Sequence, residues 1–459
     1  MRKAWLYVEG RDSSKIKDRL TAALCPYLID IDSEQMQHSD AAGIVVLDRL
    51  DDNGCAALHA LTQSGRRHAV VICADQKASD AASAWRILQA GADDILYGED
   101  MSELASAISA RIIRWQSIDA LLNSPLVQKN LVGGSQVWLA LLRRVVEVAY
   151  FTQDTVLIIG ETGTGKELIA RLIHSLDTRK NKPDLIMLDC TTLTPDLAGS
   201  ELFGHERGAF TGAIGPRKGA FALADQGSLF LDELGELGPE IQTKLLRVIH
   251  EGTYKSVGGN NWLSSSFRLI SATNRELGKE VKRGRFRSDL YHRVASWVFH
   301  LPPLRDRQED ILPLAEHFLK KCCHDGDVIP SIDDSTKMYL RCRDYPGNIR
   351  QLEHLMLQIV HRHVGGGPLS IGDVPEHERP DDVHNIQNWR DSTFDSAVRR
   401  AMSMGADLKA ISEHAKDTAI RLAVADVNGN LQKAAKNLGV TDRTLQLRKA
   451  NAARVYQVD

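Results

Sequence analysis

Cysteine is scarce in this chain: seven among 459 residues, scattered singly except for Cys322-Cys323, with no C-x-x-C spacing. That pattern excludes a zinc knuckle and a disulfide framework. Long apolar runs are missing too. Stretches such as Ala69–Ala74 are the longest uncharged ones, far below the roughly 20 residues a membrane span needs. The N-terminus enters a strand-like run, Ala4–Val8, without the apolar core of a signal peptide. The expectation is a cytoplasmic protein with no membrane partner. A large charge of one sign is absent as well, the net being -3. With 43% hydrophobic and 25% charged residues, the chain has the composition of a globular protein and not of a disordered one. It has no internal repeat.

What is present is uneven. Residues 1–120 carry 13 Lys and Arg against 18 Asp and Glu, a balance of -5. Residues 428–454 carry Lys433, Lys436, Arg443, Arg448, Lys449 and Arg454 against Asp442 alone, a balance of +5. A small basic terminal module hints at nucleic acid, whose phosphates release counterions when neutralised. A solvated helix face gives the same count, so charge alone does not decide.

The length predicts about three domains. Residues 1–115 alternate strand-like runs (Ala4–Val8, Gly43–Leu47, Ala69–Cys73, Asp94–Tyr97) with helical patterns (Asp80–Ala90, Met101–Trp115), which argues a doubly wound parallel sheet. A helical linker spans 116–130. Residues 131–375 read as α/β and, from about 301, as an α-helical lid. A polar linker follows over 376–393, and 394–459 reads as all-helical.

The chemistry is concentrated in Gly160-Glu161-Thr162-Gly163-Thr164-Gly165-Lys166, which follows the apolar run Thr155–Ile159 and opens a helix over Glu167–His174. That strand, loop and helix context makes a G-x-x-x-x-G-K match a phosphate-binding loop. Glycines let backbone N–H groups close on phosphate oxygens, the helix start favours an anion, and Lys166 reaches the outer phosphates. Glu167 replaces the usual hydroxyl residue, so Mg²⁺ lacks that ligand. Gly227–Glu233 supplies a second motif, an apolar strand ending in two carboxylates. Asp232 would hold Mg²⁺ and Glu233 would polarise water. The run Phe267–Ala272 ends in Thr273-Asn274-Arg275, where Asn274 can report on the γ-phosphate or position the water.

The segment Leu131–Val374 resembles the AAA+ domain of the bacterial enhancer-binding proteins, the sigma-54-dependent transcription activators. The most specific match is Gly208-Ala209-Phe210-Thr211-Gly212-Ala213, preceded by Glu201-Leu202-Phe203-Gly204-His205-Glu206. In that family the GAFTGA loop engages sigma-54, and a glutamate after the loop lysine is usual. The resemblance implies arginine fingers at Arg287 and Arg293, within Gly284–Arg293, supplied to a neighbouring subunit. It implies a lid arginine on the nucleotide at Arg350, within Tyr345–Leu352, and an entry to the lid at Leu301–Arg307. One departure is Asp189-Cys190 where the family has Asn-Cys. That asparagine holds the catalytic glutamate until target contact, and two carboxylates, Asp189 and Glu233, share a hydrogen bond only if one is protonated.

Both ends add resemblances. Asn428–Leu445 reads as a helix-turn-helix in which Ala435, Leu438, Val440 and Leu445 give the packing spacing and Gly439 the turn. It is similar to the Fis-type DNA-binding module, with a recognition helix over Asp442–Ala450 offering Thr441, Arg443, Thr444, Gln446 and Arg448 to DNA. The N-terminal domain resembles a degenerate response-regulator receiver. Asp48 stands at the phosphoryl-acceptor position, but Glu9-Gly10, Cys73-Ala74 and Leu96-Tyr97-Gly98 lack the acidic pair, the hydroxyl and the lysine that phosphoryl coordination needs. Control by a partner, a ligand or oligomerisation is expected instead of phosphorylation.

These readings converge on an activator. It would bind upstream DNA as a dimer and assemble into a hexameric ring. Hydrolysing ATP with Mg²⁺, it would remodel sigma-54 RNA polymerase holoenzyme. Two alternatives stay open: an AAA+ remodeller of another client, and a DNA-binding regulator that uses a nucleotide as a ligand without hydrolysis.

Overall fold

Aliphatic and β-branched runs in the first three-quarters of the chain become two parallel sheets. The structure, a computed structural model, describes residues 2–9, 13–31, 41–47, 52–62, 67–73, 81–98, 100–128, 131–323, 329–379, 392–426, 431–441 and 445. The chain divides into two units, Met1–Pro375 and Glu376–Asp459. Among the described residues no helix is long and apolar enough to cross a membrane.

The first sheet holds β1 (Arg2–Val8), β2 (Ile29–Ile31), β3 (Ala42–Leu47), β4 (Ala69–Cys73) and β5 (Asp94–Tyr97) in the order β2-β1-β3-β4-β5. Every neighbouring pair is parallel. All of β3 and β4 are buried, as in a parallel sheet covered on both faces. Trp5 is 1% exposed and donates from its indole N–H to Ala41 O at 2.9 Å. A Cβ at Gly43 would lie 2.0 Å from its ring, so glycine is what admits the indole.

The helix that follows runs unbroken over Met101–Leu122, capped by Asp100, whose carboxylate accepts from Ser102 N. It contains no glycine or proline. The division between residues 115 and 116 read from the sequence therefore falls inside one helix. Arg114 of this helix donates to Glu147 at 2.8 Å and lies 4.5 Å from the Phe151 ring centre. Both partners belong to the helix Gln136–Phe151.

The second sheet holds β6 (Val156–Ile159), β7 (Ile186–Asp189), β8 (Ser228–Asp232), β11 (Arg268–Thr273) and β12 (Trp297–His300) in the parallel order β12-β6-β11-β8-β7. A hairpin of β9 (Thr253–Tyr254) and β10 (Leu263–Ser264) stands apart from it. Separate apolar cores cover its two faces.

A third core joins the lid helices Ile311–Cys322, Asp334–Cys342 and Asn348–Arg362. The lid entrance is fixed by a buried ion pair, Arg307 to Asp310 at 2.8 Å, both side chains 1% exposed. Asp310 also accepts from Gly134 N, Ser135 N and Ser135 Oγ, while Arg307 lies 4.0 Å over the Trp138 ring. Burial pushes the Asp310 carboxyl up, but these hydrogen bonds outweigh it and hold the group below its usual value.

The second unit contains helices Ser392–Ser403, Leu408–Asp426 and Leu431–Asn437. Ala423, Ala434, Ala435 and Leu445 form its small core, with Leu438 packed against it. Gly439 takes φ +64°, the left-handed conformation suited to a turn between helices. Arg443, Thr444, Gln446, Arg448 and Asp48 lie outside the described residues.

Candidate functional site

The phosphate loop forms where β6 ends at Ile159 and the next helix starts at Lys166. Gly163 and Gly165 take φ +80° and +97°, which glycine adopts without strain. Gly163 has a second reason: a Cβ there would lie 2.2 Å from Gly347 O of the lid. Thr164 is 1% exposed and turns its hydroxyl to Glu161 O at 2.8 Å. Lys166 is 7% exposed. Its ammonium donates to Gly160 O at 3.0 Å and lies 3.2 Å from Glu233.

Glu233 follows β8 with φ +49°, a conformation that costs a non-glycine residue on the order of 1–3 kcal/mol. Its carboxylate meets Lys166 on one oxygen and accepts from Asn274 N at 3.0 Å on the other. Asp232 accepts from Glu233 N at 3.0 Å. Burial raises the Asp232 carboxyl above its usual value; the hydrogen bond from Glu233 N and the Lys166 charge oppose this, while the charges of Glu233 and Asp189 push the same way. Lys166, Asp232, Glu233 and Asn274 thus converge at the carboxyl ends of the adjacent strands β6, β8 and β11, the edge where α/β sheets bind ligands. A glycine cradle, a lysine and a helix N-terminus fit a nucleotide's phosphates. The carboxylates fit Mg²⁺, which takes oxygen ligands and keeps several waters. No cluster of three or more His, Cys, Asp or Glu suited to a metal occurs among the described residues, so such an ion would draw most of its ligands from phosphate and water.

Other predicted residues sit elsewhere. Glu167 turns along its own helix to Arg171 at 2.7 Å. The Asp189 carboxylate accepts from Thr191 N at 2.9 Å and Thr191 Oγ1 at 2.7 Å, capping the turn Cys190–Thr192. Nearby N–H and O–H donors satisfy the exposed carboxylate locally, which keeps it on its own turn. Arg287 binds Asp289 at 2.7 Å and Thr243 Oγ1 at 3.3 Å. The Arg293 carbonyl accepts from Thr155 Oγ1 at 2.7 Å, and its side chain is exposed. Neither arginine meets the phosphate loop of its own chain. Arg350 is exposed at the start of the lid helix, its N–H 3.4 Å from Gly163 O.

The loop 208–213 closes on itself. Gly208 N donates to Ala213 O at 2.9 Å and Ala213 N to Phe210 O at 3.0 Å. Phe210 is 41% exposed and rests edge-on against the His205 ring, centres 5.0 Å apart. Val257 and Glu206 bond through their backbones at 3.0 Å, and Ser256 Oγ donates to Glu206 at 3.1 Å. The loop's stem is therefore paired to the segment between β9 and β10.

Sequence reading missed Arg305 and Asn348 as parts of the site. Arg305 donates from both terminal nitrogens to the Glu161 carboxylate, at 2.9 and 2.6 Å. Asn348 bridges Glu161 and Thr162 O, each at 3.1 Å. Both stood inside segments singled out as lid motifs, but their common target, Glu161, is set by tertiary approach alone.

Comparison with known proteins gives consistent matches. The Sigma-54 interaction domain family matches residues 131–300, and the AAA+ ATPase lid domain matches residues 305–388. The transcriptional regulatory protein ZraR of Klebsiella oxytoca is 38% identical over 376 residues, 80% of this chain and 79% of that protein. The formate hydrogenlyase transcriptional activator FhlA of Escherichia coli is 46% identical over 255 residues, 55% of this chain and 37% of that protein. Among solved structures, NtrX from Brucella abortus in complex with ATP covers 98% of this chain and 99% of that one at 24% identity, with a TM-score of 0.52. At that identity the likeness speaks to the fold alone.

Proposed function

The chain belongs to the AAA+ family of sigma-54-dependent transcriptional regulators, and from that premise we propose that it hydrolyses ATP between subunits to open promoters. It is a sigma-54-dependent transcriptional activator of the enhancer-binding kind. The observation that carries the hydrolytic reading is the junction of Lys166, Glu233 and Asn274, held by contacts of 3.2 and 3.0 Å beside Asp232.

In this reading the loop Gly160–Lys166 binds the phosphates and Asp232 holds Mg²⁺. When bound, Mg²⁺ neutralises charge on the β- and γ-phosphate oxygens. Lys166 then exchanges Glu233 for phosphate, which frees the Glu233 carboxylate to take a proton from water while Asn274 orients it. Arg287, bound to Asp289 and Thr243, and the exposed Arg293 serve the site of the next copy in a ring. The loop 208–213 moves against sigma-54. Residues 394–459 bind DNA as a dimer, with Thr441, Arg443, Thr444, Gln446 and Arg448 as contacts. Residues 1–115 act as a regulatory domain.

Open-complex formation with purified sigma-54 polymerase tests this, with Glu233→Ala as control. ATP-dependent opening by the wild type and none by the variant is expected. Opening independent of ATP would favour a regulator that only binds nucleotide, and ATPase activity without opening would favour another client. Asp189→Asn is expected to alter the stimulation of ATPase by sigma-54; equal stimulation in both proteins would remove Asp189 from the account.

A further inference from the structure

We infer that Arg305 and Asn348 are positioning residues for the phosphate loop, neutralising Glu161 and tying the loop to the lid; this rests on the nucleotide site proposed above. Glu161 is an acidic side chain in a loop built to receive a polyanion. Left unpaired, its charge would oppose the ligand that the rest of the loop attracts. Arg305 meets it with a two-pronged guanidinium pair, the geometry that gives such pairs their strength and orientation. The pair, with Asn348 adding a hydrogen bond, holds the Glu161 carboxyl below its usual value.

Asn348 makes the connection rigid. It is fully buried and sits at φ +52°, a left-handed position where asparagine is better tolerated than most residues. Its amide nitrogen donates to Glu161 and to Thr162 O. Its amide oxygen accepts from Leu304 N at 2.8 Å, next to Arg305. Ile349 N, one residue on, donates to Gly163 O at 3.0 Å. The crest of the loop, residues 161–163, is thereby bonded to the lid entrance and to the first turn of the lid helix. Glu161 and Thr162 thus add side-chain ties to the lid beside the backbone contacts that Ile349 N and Arg350 N make with Gly163 O.

The neutralising role separates from a merely structural one by rescue. Binding of a fluorescent, hydrolysis-resistant ATP analogue is measured on the full chain as wild type, Arg305→Ala, Arg305→Ala/Glu161→Gln and Asn348→Gly. Exposed pairs are worth up to about 1 kcal/mol, so Arg305→Ala should weaken binding about fivefold, and more at low salt. The added Glu161→Gln should restore most of that loss, because the unpaired carboxylate is gone. Asn348→Gly keeps the left-handed backbone and loses the side-chain bridges, so it should also weaken binding. Unchanged affinity in Arg305→Ala, or a double variant no better than the single, would overturn the inference. A wild type that does not bind the analogue would instead overturn the nucleotide site itself.

Discussion

The two sheets of this protein are built alike and equipped differently. Each has five parallel strands with buried central members. At the carboxyl ends of β6, β8 and β11 stand Gly160, Asp232, Glu233 and Asn274; Lys166 reaches Gly160 and Glu233, and Glu233 bonds Asp232 and Asn274. At the ends of β1, β4 and β5 stand Glu9, a buried Cys73 and Tyr97. One sheet carries a charged, strained, preassembled site. The other, at these described strand ends, carries one carboxylate, a thiol and a phenol. A shared architecture thus says where a site can lie, and only the residues at the strand ends say whether there is one.

The sharpest way to break this contrast is Glu233→Ala. We expect hydrolysis to fall roughly 10²–10⁴-fold, the range for losing a positioned base, with analogue binding retained. Turnover near wild type in a steady-state ATPase assay would remove Glu233 from the chemistry. Next in size is Asp310→Ala, which strands a buried Arg307 and should cost about 3–5 kcal/mol in a denaturant titration of the nucleotide-binding region. Arg86→Ala in the first domain breaks a pair whose side chains are 52% and 91% exposed, and should cost about 1 kcal/mol at most. Equal costs would mean that the lid entrance is not the buried clamp described.

Gly43→Ala tests the first sheet. The added methyl meets the Trp5 ring, and overpacking of this kind should destabilise that domain by about 1–3 kcal/mol. ATPase of the still-folded variant reads how far the first sheet reaches the second. The smallest effect is one of pH. Burial raises the Asp232 carboxyl in the folded chain, so the unfolded chain loses that proton first. This group's contribution to stability therefore declines as pH rises from the ordinary carboxylate value of about 3.9 through the raised one. Asp232→Asn should flatten that slope in pH-dependent denaturation without nucleotide; an unchanged slope would assign it elsewhere.

Much of this was legible in the sequence because its signals are local. The strands Ala69–Cys73 and Asp94–Tyr97 stand where their apolar runs were read. Lys166 opens its helix at the end of the glycine loop, one residue before the expected start. What escaped reading depends on contacts distant in sequence. Arg305 and Asn348 reach Glu161 across 144 and 187 positions, and no spacing rule joins them. The helical pattern over Met101–Trp115 and the helical linker from 116 prove to be one helix through Leu122, since nothing between them breaks it. The departure at Asp189 was legible in the sequence; that its carboxylate accepts from the N–H and hydroxyl of Thr191 was not.

The central claim is that the phosphate site is half of a site, completed by another copy. Mixing two inactive full-length chains tests it most directly: Glu233→Ala, which keeps its arginines, and Arg287→Ala/Arg293→Ala, which keeps its carboxylates. The account predicts that ATPase activity returns in the mixture, because the arginines of the first chain complete the site of the second. Mixtures as inactive as either chain alone would contradict it.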